Sequence, residues 1–223
     1  MGCIGGGSVD VGIEGIDEIL STVAKKLDEI NKTFNNQELL DKKADILKER
    51  HQKLANADKN NEATLTTLIK ELNKKDLEID NELIMHQLNK MKKLYEIGLE
   101  YSKILQDLLI KQLEKKLQGN KAAALIQKQI DKIKKLSPAQ FLDSEYAKPL
   151  KDLLTKKGLS ESLLDSYIKE LTEERSKRRK EERDEFGIKV NEYPNEELYD
   201  ALQKNLFKEM LEETANQFLE KMQ

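Results

Sequence analysis

The chain has 223 residues, 36% of them charged and 5% aromatic, with no tryptophan. Its 39 basic and 42 acidic side chains leave a formal net charge of -3, so no overall field draws it to nucleic acid or anionic lipid, and any such affinity must be local. A single cysteine, Cys3, excludes an internal disulfide and a cysteine-built zinc site, and no run approaches the roughly 18 apolar residues that would span a bilayer as a helix.

Turn-forming residues are scarce: three prolines, and ten glycines of which five lie within the first twelve positions. The expected fold is all-α and elongated, with helical hairpins or coiled coil built on one long central helix and a smaller helical C-terminal subdomain. This divides the chain into three regions: a flexible Gly-rich tail over 1–12, a long-helix coiled-coil or bundle region over 13–136, and the C-terminal subdomain over 137–223.

The tail begins Met-Gly-Cys-Ile, with no basic n-region or apolar h-region of a secretory signal. Gly2 and Cys3 resemble the opening of dually acylated signalling proteins, in which myristoyl and palmitoyl chains act together because one myristoyl chain holds only marginally. The motif's serine or threonine at the sixth position is here Gly6, and Ser8 lies two places late. Lipidation at Gly2 and Cys3 therefore stands beside a plain flexible tail.

From Ile13 the pattern becomes helical. Ile16, Leu20, Val23, Leu27, Ile30 and Phe34 alternate steps of four and three, a heptad seam that calls for a partner helix. Asn35-Asn36 breaks it, and Leu40, Ala44, Leu47 and Leu54 mark a second helix to about residue 57, expected to pair antiparallel with the first. The polar stretch Asn56 to Asn61 is a turn, and Asn60 or Asn61 can cap the helix after it.

Residues 61–118 read as one helix on the order of 85 Å long at 1.5 Å per residue. Leu65, Leu68, Leu72 and Ile79 form a narrow partner-helix seam, with Lys75 where a seam residue would fall. The stripe then widens into two rows, Ile84, Leu88, Met91 and Tyr95 beside Leu94, Ile97, Tyr101, Ile104 and Leu108. A wide stripe must be covered from more than one side, so 83–117 is expected inside a bundle. After a stop at Gly119-Asn120, Ala122 to Leu136 returns as a helix with Leu125, Ile126, Ile130 and Ile133 inward.

Ser137-Pro138 has the form of a capped helix start, and aromatics concentrate downstream of it. Pro149 to Lys157 forms a short helix closed by Gly158, and Ser160 opens a longer one that runs to Phe186 and ends at Gly187 in the favoured position. Ile188 to Tyr193 is the one stretch that could be extended. Pro194-Asn195 begins a last helix with Leu198, Leu202, Leu206, Met210 and Phe218 on one side.

The basic run Arg175, Lys177, Arg178, Arg179, Lys180 and Arg183 could grip phosphates, but glutamates flank it and no aromatic interleaves it, so it reads as a solvated helix face. Lysines dominate from Lys111 to Lys135, whereas carboxylates dominate the last helix; the two could dock on one another within a chain or between copies. His51 and His86 share no motif, and no phosphate loop, dinucleotide fingerprint or nucleophile elbow is present. No cofactor, metal, catalytic residue or small-molecule substrate is expected.

The expected function is therefore a non-enzymatic helical scaffold or assembly protein, contacting copies of itself or other proteins through coiled-coil surfaces in an oligomer or larger complex. The first alternative is a peripheral membrane protein held by its N-terminus through Gly2/Cys3 acylation or amphipathic insertion. A structural or internal phage virion protein is a further one. The corresponding locations are the cytoplasm, the cytoplasmic face of a membrane, or a virion.

Overall fold

A computed structural model describes residues 12–119, 121–189 and 196–223. The structure is all-α, with no strand among the described residues: α1 (Ile16–Thr33), α2 (Gln37–Asn56), α3 (Glu62–Leu117), α4 (Ala123–Lys134), α5 (Pro138–Asp143), a 3-10 turn (Glu145–Ala147), α6 (Lys148–Lys156), α7 (Glu161–Phe186) and α8 (Glu196–Met222). The expected tail with Gly2 and Cys3, the residue Asn120 and most of the stretch expected as extended lie outside the described residues.

Local chemistry sets the ends of these helices. The Asn35 side chain accepts a hydrogen bond from the Gln37 amide at 2.8 Å as α2 begins, and that of Asn61 accepts from Thr64 at 3.2 Å at the start of α3. Ser137 and Gln140 form a reciprocal capping box ahead of Pro138. Ser160 caps α7, and Gly187 ends it with φ of 64°, a left-handed conformation that costs glycine nothing. The long central helix is continuous over 56 residues.

Contacts divide the chain differently from a sequential boundary at 136. Unit 1 comprises described residues of Met1–Asn31, Lys92–Leu159 and Leu211–Gln223; unit 2 comprises Lys32–Met91 and described residues of Ser160–Met210. Both α3 and α8 contribute to each.

Unit 1 has an apolar core in which Val23 and Leu27 of α1 meet Leu94, Leu99, Leu105, Leu109 and Leu113 of α3, with Ile126, Ile130 and Ile133 of α4, Phe141 of α5 and Leu154 of α6. Its buried polar groups serve helix ends. Gln106 donates from Nε2 to the carbonyls of Ile133 and Leu136, and Ser102 donates to that of Pro138, satisfying acceptors that the end of α4 and the following turn would otherwise leave orphaned. Two rows drawn from the sequence shift here. Ile104 and Leu108 are exposed and Leu105 and Leu109 are buried, because the buried side of α3 continues through Tyr101, Leu105 and Leu109. Leu125 is likewise turned outward at 72% exposure, since Ile126, Ile130 and Ile133 already fill the inner side of α4.

In unit 2, Leu54 of α2 packs with Leu65, Ile69 and Leu72 of α3 and with Ile188 beyond α7. Leu40 and Ala44, expected inward on α2, are exposed. The buried positions of that helix are Lys43, Arg50 and Leu54.

Candidate functional site: a buried ionic seam in unit 2

The inward row of α7 steps from Leu164 through Ile168 and Leu171 to Arg175 and Arg179, all buried. On α3, Asn73, Asp76 and Asp80 are buried among Leu72, Leu77 and Ile79. With Lys43 and Arg50 of α2, three helices thus place charges where a three-helix seam normally holds leucines.

These charges answer one another. Asp80 receives Lys43 Nζ on one carboxylate oxygen at 2.9 Å and Arg175 Nη1 on the other at 2.5 Å. Lys43 also lies 3.6 Å from Glu174, which takes Arg178 Nη1 at 3.0 Å; Arg178 Nη2 reaches Asp76 at 2.7 Å. The result is a chain of three cations and three carboxylates, Arg175–Asp80–Lys43–Glu174–Arg178–Asp76, in which no charge lacks a counter-charge. Farther along α2 and α7, Arg50 grips Glu182 with two hydrogen bonds of 2.7 and 2.9 Å, the two-pronged geometry that guanidinium offers and ammonium does not. At the rim, exposed His51 meets Glu185 at 3.2 Å.

Neighbouring groups register the field. Burial, then the negative charge of Asp80, raises the Tyr167 phenol above its ordinary value. Hydrogen bonds from Lys53 and Lys75 hold the exposed Glu49 carboxyl below its own. Lys75 is thus an exposed partner of Glu49, and the seam position assigned to it belongs to Asp76.

Of the basic run, Lys177 and Lys180 are exposed, Arg178 and Arg183 half-buried, and Arg175 and Arg179 buried. A wholly solvated face does not describe it, because Arg175 and Arg178 are committed to Asp80 and Asp76. The seam was readable in the sequence only by extending the Leu164–Ile168–Leu171 steps past the point where leucine ends.

The residues expected to receive partner helices are covered within the chain. Val23 and Leu27 lie in the unit 1 core, with Ile16, Leu20 and Ile30 packed against it. Leu65 and Leu72 lie in the unit 2 core with Leu68 against them, and Ile79 is buried. Phe34 tilts against His86, ring centroids 5.5 Å apart.

The surface of unit 1 differs in kind. An open groove at the end of α3 is lined by Glu14, Leu108, Lys111, Gln112, Lys115 and Lys116 among others. In it Gln112 donates to the Gly12 carbonyl at 2.8 Å and accepts from the Glu14 amide at 3.0 Å, which fastens the described start of the chain to α3. Among the described residues no three His, Cys, Asp or Glu side chains gather as a metal ion would need, and no described helix is long and apolar enough to cross a membrane. No protein-family model matches this chain, and no curated protein or solved structure is significantly similar to it, so its function has to be argued from these residues.

Proposed function

We propose that this protein is a non-enzymatic helical scaffold that acts through protein–protein contacts, as a homo-oligomer or as a subunit of a larger complex. The observation that carries the reading is the ionic seam. Charges buried among three helices fix which helices pair and in what register, at a cost that an apolar seam would not incur. That is the chemistry of an element built to hold a defined helical surface. Since the apolar seams are covered by the chain's own helices, partners meet outward-facing residues such as Leu40 and Met85 of unit 2, which are 40% and 39% exposed. A peripheral membrane role is the second reading, favoured by the lysine-bearing surface of unit 1.

Photo-crosslinking residues placed at Leu40 and Met85 test the scaffold reading in native-host cells, alongside sedimentation of the purified chain over a wide concentration range. Defined crosslinked species, or reversible self-association lost in Leu40→Glu and Met85→Glu, are the expected results. A chain that stays monomeric and crosslinks to nothing at either position is no scaffold.

A further inference from the structure

We propose that unit 1 carries a docking surface for an anionic bilayer on the lysine- and leucine-bearing sides of α3 and α4; this is independent of the scaffold reading. On α4, Lys121 just ahead of the helix, then Leu125, Lys128 and Lys132, recur at steps of four, three and four, so they share the side turned away from Ile126, Ile130 and Ile133. Leu108, Lys111 and Lys115 share a side of α3 in the same way.

The two sides coincide. A short connection and the reach of Gln106 to the Ile133 carbonyl make α3 and α4 antiparallel neighbours. Glu114 and Lys134, paired at 3.6 Å, each directly follow a core residue, Leu113 and Ile133. Leu108, Gln112 and Leu125 each directly precede one: Leu109, Leu113 and Ile126. In antiparallel helices, residues that precede the core row fall on one common side and those that follow it fall on the other. Leu108 and Leu125 therefore lie together, among lysines, opposite the Glu114–Lys134 pair.

The mixed chemistry of this surface selects its occupant. No described carboxylate pairs with Lys111, Lys115, Lys121, Lys128 or Lys132. The exposed glutamates of α8 in a second copy, Glu209, Glu212 and Glu220, would match the lysines but would set carboxylates against Leu125. An anionic bilayer satisfies both, with headgroup phosphates for the ammoniums and the acyl boundary for the leucines, while the lysine stems lie along the apolar region. Gln112, on the same side, anchors Gly12, so the Gly2 and Cys3 acylation cue lies upstream of a point already on this surface. A basic patch is the kind of second signal that a single acyl chain needs.

Flotation of the full, unacylated chain with vesicles of phosphatidylcholine alone, or of phosphatidylcholine with phosphatidylserine, tests this. Binding is expected only to the anionic vesicles and falls with salt. Each of Lys111→Ala, Lys115→Ala and Lys128→Ala lowers partitioning about five-fold, and Leu125→Ser lowers it several-fold further. Lys177→Ala with Lys180→Ala, on the exposed side of unit 2, leaves it unchanged. Equal affinity for neutral vesicles, no affinity for anionic ones, or a lysine triple variant that binds like the wild type overturns the proposal. So does Leu125→Ser without effect on flotation when the triple variant abolishes self-association in lipid-free sedimentation, which would assign the surface to a second copy. Tighter binding to duplex RNA than to vesicles overturns it as well.

Discussion

In unit 1 the residues packed along α3 are Leu94, Leu99, Leu105, Leu109 and Leu113, and its few buried polar side chains hydrogen-bond to backbone carbonyls. In unit 2 the same helix buries Asp76 and Asp80 against cations from α2 and α7. Apolar burial is roughly proportional to area and carries no direction, so the first kind of packing tolerates small rotations and slips. A carboxylate held at 2.5 and 2.9 Å by two different helices does not, because either slip strands a buried charge. The difference teaches that one continuous helix can be secured by area in one unit and by register in the other.

The largest expected effect breaks the ionic side of that comparison. Asp80→Ala leaves Lys43 and Arg175 buried without their shared carboxylate and is expected to lose about 3–5 kcal/mol in chemical denaturation. A loss within about 0.5 kcal/mol, typical of surface positions, would show the seam to be hydrated and the contrast between units to be false. Replacing Lys43, Asp80 and Arg175 together by Met, Leu and Met sharpens it further. That variant should equal or exceed the wild type in stability, because desolvation of the ions offsets most of their attraction.

A smaller effect belongs to unit 1 and to pH. Burial of the Tyr95 ring, and secondarily the charge of Asp143, push its phenol up to about 12. A folded value above the unfolded value of 10.0 favours the neutral form. The associated stability is therefore fully present below pH 10 and lost as pH rises toward 12; two units correspond to on the order of 2 kcal/mol. Urea midpoints measured between about pH 9 and pH 11.5 should fall more steeply in the wild type than in Tyr95→Phe; parallel slopes would remove Tyr95 as the cause.

The smallest effect tests how closely unit 1 is packed. A Cβ on Gly98 would come within 2.6 Å of Leu154 Cδ1 and 3.6 Å of Leu142 Cδ2, so α3 and α6 approach at a position that only glycine allows without adjustment. Gly98→Ala gains about 1 kcal/mol of helix propensity against an overpacking cost of about 1–3 kcal/mol. A net loss of about 1 kcal/mol is expected in thermal unfolding, disappearing when Leu154→Val makes room. If Gly98→Ala stabilises the parent chain, the core is looser than the distances imply.

Helix starts and stops were legible because their causes lie within a few residues. Asn61, Ser137 and Ser160 cap with their own side chains, and Gly187 adopts a conformation that other residues resist. Seams made of leucine were legible for Val23, Leu27, Leu65 and Leu72, though not what covers them. The ionic seam was hidden because charge along a helix normally signals solvent, and nothing local distinguishes Arg175, buried against Asp80, from exposed Lys177 two positions later. Leu108 and Leu125 misled for the converse reason: leucine implies burial only on average.

By itself, the order of residues determined an all-α chain, its long central helix, most helix boundaries and the absence of a bilayer-length apolar run, since all of these depend on periodicity and on interactions spanning about one turn. Only the tertiary structure decided that helices distant in sequence share each unit, that Asp80 joins Lys43 to Arg175 across 37 and 95 positions, and that Leu125 faces outward among lysines. Those outcomes depend on which helices become neighbours, a choice made by the whole core at once.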